Sequence, residues 1–155
     1  AGTGAKGREG RATGFGGIEM AEDRVITFTA GLLGFPGQGQ FCLLEPGGDA
    51  CFFWLQSLDE PSLAFVVTDP TLFISDYSVP VRAEQMEELG LEKLDDAQVF
   101  VIVNKVDDAL TGNLQGPLVV NTLTRQGQQL VPAEKRWTTR HQLIKVGAGL
   151  QTASA

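Results

Sequence analysis

The chain has 155 residues, 43% of them apolar and 20% charged, with a formal net charge of −7, which fits one soluble domain with a single core. No run reaches the roughly 18 uninterrupted apolar residues of a membrane span, and no charged-then-apolar leader opens the sequence, so a cytoplasmic protein away from membranes is expected. The acidic surplus disfavours direct binding to a phosphate backbone.

Ala1 to Arg11 is glycine-rich and lacks apolar periodicity, and it reads as a flexible tail. The domain is expected over residues 12–146, with a second tail at 147–155. Phe15, Ile18 and Met20 predict a first strand from near Thr13. Arg24 to Thr29 is β-branched and alternating, a second strand. In Gly31-Leu32-Leu33-Gly34-Phe35-Pro36 two glycines and a proline break regular structure. Its apolar residues predict a loop packed onto the core. Phe41 to Glu45 reads as a short strand, turned back by Pro46-Gly47-Gly48-Asp49.

Phe52 to Leu55 and Leu63 to Val67 then flank a polar turn, which predicts an interior strand pair. Arg82 to Leu89 is the best helix candidate, with Ala83, Met86 and Leu89 on one face, Glu84, Glu87 and Glu88 on the other, and Gly90 where it stops. Gln98 to Val103 is the strongest strand. Asn104 to Gly112 reads as a polar loop. Leu118 to Asn121 and Gly127 to Val131 form a hairpin, and Arg136 to Ile144 adds a last strand. The fold class expected is mainly β: a small antiparallel, closed or nearly closed barrel-like domain with one short helix near 82–90.

Charge is unevenly placed. From Glu45 to Asp108 fourteen acids face Arg82, Lys93 and Lys105, a local excess of eleven negative charges, whereas from Ala109 onward five bases face only Glu134. Such a middle favours a basic protein partner.

Catalytic chemistry finds no footing. His141 is the only histidine, so no histidine metal site is expected, and Cys42 and Cys51 are not spaced as a zinc knuckle. They read as reduced residues on neighbouring strands, although they are able in principle to pair. Asp59 and Asp69 flank the central strand pair as an acid–base couple would, but both lie beside prolines in turns, where aspartate favours backbone hydrogen bonds. The residues describe a non-enzymatic acidic β protein that binds something, with no cofactor.

The strings Gly31-Leu32-Leu33-Gly34-Phe35-Pro36, Phe52-Phe53-Trp54-Leu55-Gln56-Ser57-Leu58-Asp59-Glu60-Pro61, Leu63-Ala64-Phe65 and Asp69-Pro70 resemble those of the flagellar assembly factor FliW family. Asp76-Tyr77, Leu89-Gly90-Leu91, Asn113-Leu114, Pro117-Leu118, Asn121, Thr124-Arg125, Gly127-Gln128 and Arg140-His141 continue the resemblance in order. Gly112 and Gly116 stand where the family often has alanine, and Gln142 where it has proline.

The resemblance implies a catalytically inert protein that binds the flagellin subunit and the RNA-binding translational regulator CsrA. It also implies partner switching: exported flagellin frees the protein to sequester CsrA, and flagellin translation resumes. The alternative is a generic chaperone or scaffold for flagellin with no role in RNA regulation. Within the matched strings, Phe35, Phe53, Trp54, Leu55 and Phe65 are expected in the core. Gln56, Asp59, Asp76, Tyr77, Asn113 and Arg125 are expected at the partner surface, with Glu87 and Glu88 supplying acidic contacts.

Overall fold

Short runs of alternating β-branched and aromatic residues build the structure, because successive side chains on a strand point to opposite faces. The computed structural model describes residues 24–35, 37, 39–45, 51–133 and 135–145. The strand expected from Thr13, both tails, the limits of the 12–146 domain and the turn at Pro46-Gly47-Gly48-Asp49 lie outside the described residues.

Nine strands are described: β1 (Val25–Phe28), β2 (Gln40–Leu44), β3 (Phe52–Ser57), β4 (Ala64–Thr68), β5 (Ala97–Val106), β6 (Ala109–Gly112), β7 (Leu118–Asn121), β8 (Gln126–Gln129) and β9 (His141–Lys145). Seven of them follow one another around a nearly closed ring, in the order β1-β2-β3-β4-β5-β7-β8. The ring returns to β1 through a short parallel seam, with Thr27 opposite Gln126 and Phe28 opposite Gly127. Every other pairing is antiparallel. The second half of β5 turns into β6, and β9 pairs with β6 outside the ring.

The lumen is filled by the inward residues of the ring, including Ile26, Phe28, Phe41, Leu43, Phe53, Leu55, Val67, Phe100, Leu118 and Val120. Phe28 meets Phe41 edge-on at 5.8 Å, and Phe53 meets Phe100 at 6.3 Å. At the seam the chain needs a glycine. A Cβ at Gly127 would lie 2.6 Å from Phe28 Cε1, inside van der Waals contact.

A second layer lies outside β5, β7 and the end of β8. The helix α1 (Ala83–Leu89) and the irregular chain around it bury Leu89, Leu91, Val79, Val81 and Met86 against Val119, Val99 and Leu130. The helix starts where Gln85 Oε1 accepts the Arg82 N–H at 2.8 Å, half of a capping box that compensates for a poor N-cap. It stops at Gly90, whose φ of 69° only glycine adopts readily. No helix among the described residues is long and apolar enough to cross a membrane.

Several expectations change. Asn104 to Gly112 is not a loop: β5 runs on to Val106, Asp107 turns at φ 56°, and β6 pairs back. The last strand is shorter than Arg136 to Ile144. Leu32, Phe53 and Leu55 are buried, and Phe65 packs partly buried against the core. Trp54 and Phe35 are exposed, because Trp54 points to the outside of the ring, opposite to Phe53 and Leu55, and the Gly31–Phe35 turn points outward. Asp69 is a buried turn cap, accepting from Thr71 N at 2.9 Å and Thr71 Oγ1 at 2.6 Å.

The two glycines that depart from the family pattern stand in tight places. A Cβ at Gly112 would lie 3.2 Å from both Leu143 and Val101, and one at Gly116 would lie 2.9 Å from the Gln129 amide.

Candidate protein-docking cleft

Three segments distant in sequence meet beside the β1–β8 seam. They are the loop Ala30–Gly34, the helix with its entry from Arg82 to Glu88, and Gln128 to Val131 at and just beyond the end of β8. Together they line an open cleft of about 560 Å³.

The loop wall owes its shape to Gly31 and Gly34, at φ 73° and 86°. Between them the chain doubles back, and Phe35 N–H donates to Leu32 O at 2.7 Å. That turn sends Leu32 into the core and leaves Leu33 63% exposed at the cleft. On the strand side Leu130 is buried and Val131 is 57% exposed. The cleft therefore presents two exposed apolar side chains, Leu33 and Val131, among polar ones.

Adjacent glutamines of β8 tie the two walls together. Neighbours on a strand point opposite ways, so each reaches a different wall. Gln129 Oε1 accepts the Leu33 N–H at 2.8 Å while its Nε2 donates to Gly116 O at 2.9 Å. Gln128 Nε2 donates to Glu88 Oε1 on the helix at 2.6 Å. Glu84 pairs with Arg82 at 3.3 Å, both well exposed, and such a pair contributes little to stability. Exposed apolar side chains set among amides and carboxylates suit an amphipathic segment of another protein. Among the described residues no group of three or more His, Cys, Asp or Glu side chains is placed to hold a metal ion.

Of the residues expected at a partner surface, Glu88 alone lines the cleft, with Glu87 exposed beside it on the helix. Gln56 serves its own hairpin, with Nε2 within 3.1 Å of the carbonyls of Ser57, Pro61 and Leu63. Asp59 is exposed at that hairpin's turn, where its N–H donates to Ser57 Oγ. Asp76 is exposed and ion-paired with Arg136. Asn113 Oδ1 accepts the Gln115 N–H at 3.1 Å and so closes a local turn. Arg125 sits at φ 67°, donates to Thr122 O, and offers its own carbonyl to Thr27 N–H across the seam at 3.0 Å.

Tyr77 is placed in the core. It is 5% exposed, its hydroxyl donates to Leu114 O at 2.7 Å, and its ring packs edge-on against Trp137. The structure does not bring these residues together; most of them shape their own loops. Gln128, Gln129 and Val131 were not expected at a partner surface, and Leu33, expected to be sheltered in a loop packed onto the core, is exposed because the turn buries only Leu32. The one local hint was the pair of leucines between two glycines, which a tight turn cannot bury together.

The residues matched by the FliW protein family model run from 10 to 143. A flagellar assembly factor FliW of Magnetococcus marinus is 39% identical over 137 residues, covering 86% of this chain and 83% of the relative. That of Alkaliphilus metalliredigens is 35% identical over 134 residues, covering 84% and 83%. Among solved structures, a crystal structure of the flagellar assembly factor FliW superposes with a TM-score of 0.73 at 32% identity, covering 82% of this chain and 90% of that one. Matched along nearly its whole described length in both sequence and fold, the chain belongs to the FliW family of flagellar assembly factors.

Proposed function

We propose that this chain is a non-enzymatic, cytoplasmic partner-switching factor that holds flagellin or a CsrA-type regulator and so relieves repression of flagellin translation. The observation that carries this reading is the cleft: Leu33 and Val131 exposed over buried Leu32 and Leu130, set among the polar side chains of Glu84, Glu88 and Gln128. A terminal segment of flagellin that is amphipathic and helical would lay its apolar side on Leu33 and Val131 and its polar side on the polar side chains. The acidic middle of the chain gives a basic RNA-binding protein a favourable partner, and once docked its field opposes an incoming phosphate backbone. Switching requires that each partner weaken the other, and linkage makes that effect reciprocal.

The test is co-purification. Immobilised chain should retain CsrA and release it when flagellin is added. Retention of flagellin with no CsrA contact would leave the plain flagellin chaperone as the function.

A further inference from the structure

Among the described residues, Leu44 of β2 and Trp54 of β3 lie largely uncovered on the outer face of the sheet, whereas Phe52 of the same face stacks on Phe73 at 5.8 Å. Over β5 and β7 the outside of the ring is sheathed. The chain from Ile74 to Leu91 packs over β5 and β7, and Leu143 packs against Gly112 beside Val101. On β2–β4 the strand register aligns Leu44, Trp54 and Val66 in one row across three strands. Leu44 is 40% exposed and Trp54 is 47% exposed. A tryptophan in mid-strand, half in water and flanked by aliphatic neighbours, is the kind of side chain that anchors protein interfaces.

The charges around this row differ from those at the cleft. Glu45 directly follows Leu44 at one end of the strands, and Asp59 and Glu60 occupy the turn at the other end. Among the described residues no base pairs with any of the three. At the cleft, by contrast, Glu84 is paired with Arg82 and Glu88 accepts from Gln128. The concave site has a base, Arg82, beside its carboxylates; the convex sheet has an aromatic anchor between acids that meet no base among the described residues, Glu60 accepting only from Ser62 Oγ at 2.7 Å.

We infer that the Trp54 face is a second docking surface, separate from the cleft and specific for the basic partner, with Trp54 as its apolar anchor and Glu45, Asp59 and Glu60 as its charged rim. The inference rests on the two-partner reading above. Around the ring β3 lies three strands from β8 by way of β2 and β1, so a protein on Trp54 leaves the cleft open. Displacement then passes through the shell. The loop that carries Leu33 also carries Phe35, whose ring meets Phe65 of β4 edge-on at 5.3 Å.

The experiment measures affinities of the purified full chain for CsrA and for flagellin. Trp54→Ser should lower CsrA affinity by about tenfold or more, as loss of an interface anchor does, and should keep flagellin affinity within about twofold. Glu45→Lys with Asp59→Lys, which retains Trp54, should also weaken CsrA binding and flatten its salt dependence; it decides the matter if Trp54→Ser does not fold. Unchanged CsrA affinity in folded variants overturns the inference, and so does equal loss of both partners. A parent chain that binds flagellin but never CsrA refutes the two-partner reading itself, and this assignment with it.

Discussion

Gln128 Nε2 donates to Glu88 Oε1 over 2.6 Å, joining β8 to the helix along the cleft. Its neighbour Gln129 holds the opposite wall through the Leu33 N–H, so one strand sets the width of the site. Gln128→Ala removes an exposed hydrogen bond, and stability should change by no more than about 0.5 kcal/mol. Flagellin affinity, measured by calorimetry, should nevertheless fall roughly threefold, because the helix wall is no longer pre-positioned. An unchanged affinity would show that the helix wall takes no part in binding.

Leu33 is the most exposed large apolar side chain lining the cleft. Leu33→Ala should leave the denaturation midpoint nearly unchanged, since the residue buries little within the chain. It should weaken flagellin binding by about 1–2 kcal/mol, roughly tenfold, as truncation of an interface anchor does. CsrA binding should be spared.

Tyr77 matches the family string yet lies in the core. Tyr77→Phe removes the hydroxyl that donates to Leu114 O and leaves that carbonyl short of a partner. The cost should be about 1–2 kcal/mol in a urea titration with unchanged slope. Affinities for both partners should hold. Lost binding without lost stability would return Tyr77 to the partner surface.

Gly127 faces Phe28 across the parallel seam, with room for no Cβ. Phe28 is almost fully buried and cannot swing away. Gly127→Ala should therefore destabilise the chain by about 1–3 kcal/mol through overpacking. Adding Phe28→Leu should recover part of that loss, a coupling that a double-mutant cycle measures.

These contrasts mark where the sequence was legible. Leu118–Asn121 and the stop at Gly90 follow from local patterns, a short apolar run and a left-handed glycine, and the structure places both as expected. Phe52 to Leu55 is apolar throughout, so its sequence did not tell that Trp54 faces away from Phe53 and Leu55. Which face stays open depends on where distant segments such as Ile74 to Leu91 pack, and no local pattern carries that. β6 was hidden for a related reason: a polar two-residue turn at Asp107-Asp108 precedes it, and its partners on both sides are contributed by β5 and β9. The cleft draws on loop, helix and strand residues far apart in the chain, so its members were invisible one at a time. The family strings pointed instead to residues such as Gln56 and Arg125, whose side chains bond to the backbone of their own turns.

The central claim is most directly tested by following CsrA bound to flagellin messenger RNA in fluorescence anisotropy. Adding this chain should release the RNA, and adding flagellin afterwards should restore the RNA complex. RNA that stays bound at saturating chain, with CsrA present and competent, would contradict the partner-switching account.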